Sequence, residues 1–159
     1  MERGLWMRRK EKEVTDLGMI EEIVNRAEVC RIAVCDKDIP YVIPMNFGYR
    51  DGSVYLHSAR EGRKVEALKR NNRVCFEVDV DQELVTADHS CGFDMRYRSV
   101  IGYGRAYLVE DDEEKRRGLD TIMEHYGEKA GHRYKEKAFS LALVIRIDLE
   151  EMTCKVNGY

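Results

Sequence analysis

The sequence predicts a mainly β protein, a small antiparallel barrel with a few peripheral helices. Three observations predict it. Short runs alternate apolar and polar residues with a period of two, Asp51-Gly52 is a two-residue turn of the hairpin kind, and only three stretches carry helical spacing. Met1 to Lys12 reads as a charged arm, and Met19 to Val29 as a short amphipathic helix through Met19, Ile20, Ile23, Val24 and Ala27. Arg31 to Cys35 and Ile39 to Tyr49 are strand-type runs around the polar Asp36-Lys37-Asp38, and Asp51-Gly52 leads into a third strand, Ser53 to His57. A helix over Glu61 to Arg70 follows, then Arg73 to Val80 with alternating Val74, Phe76, Val78 and Val80. After a loop expected over Asp81 to Phe93 comes a long strand, Tyr97 to Val109. Glu110 to Tyr126 is a helix with an acidic start, an apolar stripe at Leu119, Ile122, Met123 and Tyr126, and Gly127 as its stop. Leu141 to Leu149 returns to alternation, so the sheet is expected to hold at least five strands.

Composition bounds the function. With 159 residues, 43% of them hydrophobic, the chain suits one domain, expected over residues 1–159, and is too short for two ordinary ones. The 27 basic and 30 acidic residues nearly cancel, so the net charge of -3 suggests neither nucleic acid nor an anionic membrane as partner. No apolar run is long enough to span a bilayer, and Met1 to Glu13 is too charged for a secretion signal, so the protein is expected to be cytoplasmic. Cys30, Cys35, Cys75, Cys91 and Cys154 are scattered singly, which fits free thiols.

The stretch Val54 to Lys64 carries the strongest chemical signal, because a strand runs into a helix whose first turn is crowded with cations. Unpaired N–H groups at a helix start, the macrodipole, and Arg60, Arg63 and Lys64 together suit a phosphate monoester. An ordinary capped helix is the competing reading: Ser58 stands three residues before Glu61, a capping-box spacing, although a capping box does not explain the cations.

The run Ile39 to Tyr49 offers a second signal. Tyr41, Ile43, Met45, Phe47 and Tyr49 share one apolar face, leaving Val42, Pro44, Asn46 and Gly48 on the other. A proline and a glycine on one face of a strand suit either the close approach of a flat ligand or simple protection of a barrel edge. The Asn46 amide can serve a heterocycle with both donors and acceptors. His57, at a strand end on the face of Tyr55, reads as a ligand-facing group or as a structural histidine. His89 and Cys91 lack a second pair at metal-ligand spacing, so no metal is expected. Gly102-Tyr103-Gly104 lacks the third glycine of a dinucleotide fingerprint and suits a barrel bend.

Four motifs in this order resemble the flavin-binding split-barrel superfamily related to pyridoxamine 5′-phosphate oxidase, and within it the nitroimidazole-resistance family. They are Met7 to Lys10, Pro40 to Tyr49, Tyr55 to Ala59 with Gly62-Arg63-Lys64, and Tyr97 to Gly104. The resemblance implies a six-stranded antiparallel split β-barrel that forms a homodimer, with FMN bound at the subunit interface. It implies that Arg63 and Lys64 hold the phosphate, that Ser58 and Ala59 lie near the ribityl-phosphate end, and that Ile43, Pro44, Met45 and Asn46 lie against the isoalloxazine ring. Tyr97 and Ser99 would come from the partner subunit, and His57 matches a histidine near the flavin or substrate, the one candidate catalytic residue. Arg8 and Arg9 resemble a recurrent basic start. The implied activity is an FMN-dependent reduction of a small planar electron acceptor, a nitroimidazole or other nitroaromatic. The alternative is a split barrel that carries FMN, a deazaflavin or haem without that turnover. Pyridoxamine 5′-phosphate oxidation itself is disfavoured, because the C-terminal Lys155-Val156-Asn157-Gly158-Tyr159 lacks that enzyme's substrate-binding arginine and histidine.

Overall fold

Alternation builds a single eight-stranded sheet in which every ladder is antiparallel. The computed structural model describes residues 7–129, 131 and 133–159. The strands are β1 (Glu13–Val14), β2 (Cys30–Asp36), β3 (Ile39–Met45), β4 (Phe47–Arg50), β5 (Ser53–Ser58), β6 (Arg73–Val85), β7 (Asp94–Val109) and β8 (Leu143–Asn157). The helices are α1 (Leu17–Arg26), α2 (Arg63–Arg70), α3 (Asp112–His125) and α4 (Glu136–Leu141). Strand order is β3-β2-β6-β7-β8-β5-β4, with β1 added to β8.

Eight strands replace the six expected, and no ladder among the described residues joins the two outermost strands, β3 and β4. They are nonetheless consecutive in the chain, because the expected strand Ile39 to Tyr49 breaks at Asn46. The polypeptide thus crosses from one edge of the open sheet to the other through a single residue. The expected arm is also shorter than twelve residues in effect. Met1 to Trp6 lie outside the described residues, Lys10 to Lys12 form a 3-10 turn, and Glu13 and Val14 pair with Lys155 and Cys154.

Inward-facing alternate residues form the main core. Ile32 and Val34 of β2, Phe47 of β4, Val54 and Leu56 of β5, Phe76 and Val78 of β6, and Ile145 and Ile147 of β8 are all buried in it. Helix α1, capped by the Asp16 side chain accepting from Met19 N–H at 2.8 Å, adds Ile20, Ile23 and Val24, and α2 adds Val65 and Leu68. Helix α3 lies on the other side of β5, where Ile122 meets Tyr55, Val109 and Val144 in a second cluster.

Two expected boundaries shift for identifiable reasons. The supposed loop Asp81 to Phe93 is half strand: Asp81, at φ +59, lets β6 bulge and resume, so that Glu83, Leu84 and Val85 pair with Arg96, Met95 and Asp94. The Asp81 carboxylate at that bulge receives Arg26 at 2.5 Å and also Arg98. Strand β8 runs on to Asn157, past a register shift opposite Tyr103 and Gly104. There a Cβ on Gly104 would stand 2.1 Å from the Asp148 carbonyl oxygen, so this glycine does accommodate a bend. All five cysteines are unpaired, and burial pushes the Cys30 thiol up to about 12. No helix among the described residues is long and apolar enough to cross a membrane.

Candidate functional site

The junction between β5 and α2 differs from a capped helix start. Ser58 is still in β5, paired with Leu143, and α2 begins only at Arg63, after Gly62 at φ +122. The capping box expected from Ser58 and Glu61 is absent, and no side chain among the described residues caps α2. The first intrahelical bond is donated by Glu66 N–H to the Gly62 carbonyl at 3.1 Å, so the N–H groups of Arg63, Lys64 and Val65 precede the ladder. Ala59 lies exposed in the turn between them.

The cations of this turn have distinct surroundings. Arg60 Nε donates to the Ser140 carbonyl at 3.1 Å, at the C-terminal end of α4. Arg63 Nε donates to Asp36 Oδ2 at 2.8 Å, and its guanidinium stands 4.3 Å over the Tyr41 ring. The hydrogen bonds from Arg63 and Arg70 hold the Asp36 carboxyl below its usual range. Lys64 is half-buried, forms no ion pair with a described residue, and donates only to the Met45 thioether at 3.4 Å. Burial lowers its pKa. A half-buried ammonium without a carboxylate is costly by itself and is relieved by an anion, so Lys64 together with the uncapped N–H groups fits a phosphate.

Strand β3 carries the ring-side candidates. Ile43 and Met45 face the core and Val42, Pro44 and Asn46 face outward, as the alternation predicts. Counting from the two-residue turn Lys37-Asp38, Pro40 and Pro44 occupy positions whose N–H would point to the open edge, away from β2. Both prolines therefore cost no ladder hydrogen bond, which is the edge-protecting arrangement. Gly48 answers to a different neighbour. A Cβ there would come within 2.4 Å of the Thr121 carbonyl oxygen, so its close partner is the backbone of α3 and not a flat ligand.

The break at Asn46 is pinned from α3. Tyr126 OH donates to the Glu28 carbonyl at 2.7 Å and accepts from Phe47 N–H and Asn46 Nδ2, each at 3.2 Å. The adjacent His125 ring packs against Phe47 at a tilt of 48°, with centroids 4.3 Å apart, and bonds the Ala27 carbonyl through Nε2 at 2.7 Å. The sequence marks Tyr126 only as the last member of an apolar stripe; its hydroxyl function depends on three chain segments meeting.

His57 is exposed at the end of β5. The last ladder pair between β4 and β5 is Phe47 with Leu56, and one step beyond it on the two strands stand Asn46 and His57. The histidine is thus at the same end of the sheet as the β3 break, on the Tyr55 face. Tyr97 and Ser99 are elsewhere: they line a shallow outer depression with Arg31, Glu77 and Asp79 on β2, β6 and β7. Arg31 pairs in register with Pro44, but β7 is three strands from β3, about 14 Å at the usual spacing. One chain therefore brings together Ile43 to Asn46, Lys64 and the β5 end, and leaves Tyr97 and Ser99 apart.

Residues 16–156 match the family profile described as pyridoxamine 5′-phosphate oxidase. Among solved structures, a protein of Bacteroides thetaiotaomicron assigned to 5-nitroimidazole antibiotic resistance is 39% identical, with a TM-score of 0.81 over 91% of this chain and 86% of that one. The flavocytochrome Anf3 of Azotobacter vinelandii (24% identity, TM-score 0.85, 100% of this chain and 75% of that one) shares the fold. So does a FAD- and haem-binding protein of Mycobacterium smegmatis (20% identity, TM-score 0.83, 93% and 74%). No curated protein matches. The profile spans nearly the whole chain and the same antiparallel sheet recurs in a relative of 39% identity, so this protein belongs to the pyridoxamine 5′-phosphate oxidase family of split-barrel proteins.

Proposed function

We propose that the protein is an FMN-binding oxidoreductase that reduces nitroimidazoles or related nitroaromatic acceptors. The observation that carries the flavin part is Lys64, a half-buried cation with no carboxylate partner among the described residues, at the start of α2. The 39% identical relative assigned to nitroimidazole resistance favours the acceptor class. In this reading Lys64 and the N–H groups of Arg63, Lys64 and Val65 bind the FMN phosphate, with Arg63 close by on Asp36. Ser58 and Ala59 border the ribityl-phosphate end, and Pro44 and Asn46 present a flat, exposed edge to the ring. Bound flavin would supply two electrons per turn, drawn from an external reductant such as a reduced nicotinamide, and with two protons from solvent these take a nitro group to a nitroso group with release of water.

His57, exposed beside the β3 break, is the candidate group on the acceptor side. A homodimer completes the pocket, with Tyr97 and Ser99 supplied across the interface. The outer sheet face supports this assembly. Val42, Ala33, Cys75 and Tyr103 follow one another in register across β3, β2, β6 and β7, with Ile101 beside them, and Val42, Tyr103 and Ile101 are 56%, 45% and 38% exposed. Such a contiguous apolar patch on a sheet marks an interaction surface.

An absorption spectrum of the purified protein, followed by release and mass measurement of its chromophore, tests the cofactor. FMN is expected, and a deazaflavin or haem would replace this reading with the carrier alternative. Stopped-flow absorbance then tests the activity: the reduced protein is expected to be reoxidised by a nitroimidazole, and indifference to every nitro acceptor would contradict it.

A further inference from the structure

The hydrogen bonds of Tyr126 fix the orientation of the Asn46 amide. The Glu28 carbonyl can only accept, so the single phenolic proton lies on that 2.7 Å bond. Phe47 N–H can only donate, and with its proton engaged the phenol can only accept from Asn46 as well. The Asn46 atom facing Tyr126 is therefore Nδ2, and Oδ1 is turned away from the phenol. Asn46 is exposed, and its Oδ1 has no hydrogen bond from a described residue. Resting on the reading that the bound ring lies along β3, we infer that Asn46 Oδ1 accepts a hydrogen bond from a ring N–H of the ligand, with Tyr126 as the residue that positions it.

The chemistry this selects is a heterocycle with an imide N–H on its rim. An isoalloxazine or a deazaflavin has one at N3, whereas the pyrrole nitrogens of a haem are engaged by iron and its rim offers no N–H donor. Tyr126 is held firmly enough for the purpose. Its phenol forms three hydrogen bonds, and the neighbouring His125 ties the same helix end to Ala27 and to the Phe47 ring. Rotation of the Asn46 amide by half a turn would set Oδ1 against a phenolic oxygen with no proton to give, so the orientation is self-enforcing.

The test titrates the wild-type protein with FMN, N3-methyl-FMN and 5-deaza-FMN by fluorescence. Blocking the imide is expected to weaken binding about tenfold, the loss of one good hydrogen bond, while the deaza analogue binds like FMN. Asn46→Ala is expected to lower FMN affinity to that of the methylated analogue without much changing the latter. Tyr126→Phe, which frees the amide to rotate, should reduce the preference for FMN over its methylated analogue. Equal binding of FMN and N3-methyl-FMN by the wild type would overturn the inference and leave the flavin reading standing. So would a preference that survives Asn46→Ala, since crowding by other groups would then explain it. Failure of the wild type to bind any of the three would overturn both.

Discussion

At the scale of residues, Lys64 and Arg63 are adjacent in sequence but unequal in structure. Arg63 already has Asp36 and the Tyr41 ring, while among the described residues Lys64 has only the Met45 thioether. A charge-assisted bond to a phosphate contributes about 1.5–3 kcal/mol, so Arg63→Ala with Lys64→Ala should weaken FMN by well over tenfold and leave riboflavin nearly unchanged. Lys64→Ala alone should account for most of that loss. Fluorescence titration with both flavins checks it, and an intact preference for FMN in the double variant would return these residues to a solvated helix end. The pH dependence follows from the same site. Burial lowers the Lys64 pKa from 10.5, so the folded chain holds the neutral amine more readily than the unfolded chain does. By itself this makes folding more favourable as pH rises from the lowered value toward 10.5. Phosphate binding needs the charged amine and has the opposite sign. The FMN-to-riboflavin affinity ratio should rise through about pH 6 as the phosphate becomes dianionic, then fall as Lys64 loses its proton. A Lys64→Ala variant should lack the alkaline fall. His57 is exposed and no core residue, so His57→Ala is expected to keep the folded state and FMN while changing reoxidation by nitro acceptors. Unchanged stopped-flow kinetics would assign it to the surface.

At the scale of elements, the β2–β3 hairpin carries an unfavourable turn. Lys37 and Asp38 sit at φ +51 and +66, the type I′ geometry that glycine and asparagine prefer, and neither has the side chain best suited to it. Lys37→Asn with Asp38→Gly is expected to stabilise the protein by about 1 kcal/mol, seen as a higher urea midpoint with an unchanged slope. Gly48→Ala should do the reverse, because its Cβ would meet the Thr121 carbonyl and push α3 off β4. Most elements were legible in the sequence because their signals are local. Alternation places β2, β5 and most of β6 and β7, Asp51-Gly52 marks its turn, and the acidic start expected at Glu110 falls within two residues of α3, which begins at Asp112. The failures are features that depend on a second chain segment. Ser58 has capping spacing but is held in β5 by pairing with Leu143, and Gly48 looks like a ligand contact but answers to α3. Asn46 breaks one expected strand into two because β2 pairs with Met45 before it and β5 with Phe47 after it, while Tyr126 bonds Asn46 and Phe47 N–H. For the site, residue types and order pointed to Lys64 and β3. The difference between Lys64 and Arg63, and the part of Tyr126, needed Asp36, Met45 and Glu28 to be placed in space.

At the scale of the molecule, the open sheet leaves two things for one chain to find elsewhere. Its outer face presents Val42, Tyr103 and Ile101 to solvent, and its Tyr97 and Ser99 stand three strands from the edge that carries Pro44 and Asn46. Apolar burial at about 25 cal/mol per Å² makes a standard interface of roughly 800 Å² per partner a strong driving force, and this face lies next to the candidate pocket. A Tyr103→Glu variant, placing a charge in the middle of the patch, is expected to shift the protein toward monomer and to lose flavin together with the dimer. The central claim is that a flavin is held where two copies of this chain meet. Size-exclusion chromatography with light scattering and in-line absorbance measures both parts at once. The account predicts a dimeric mass carrying about one FMN per chain, with absorbance near zero in any monomer fraction. A monomer that retains stoichiometric FMN would contradict it.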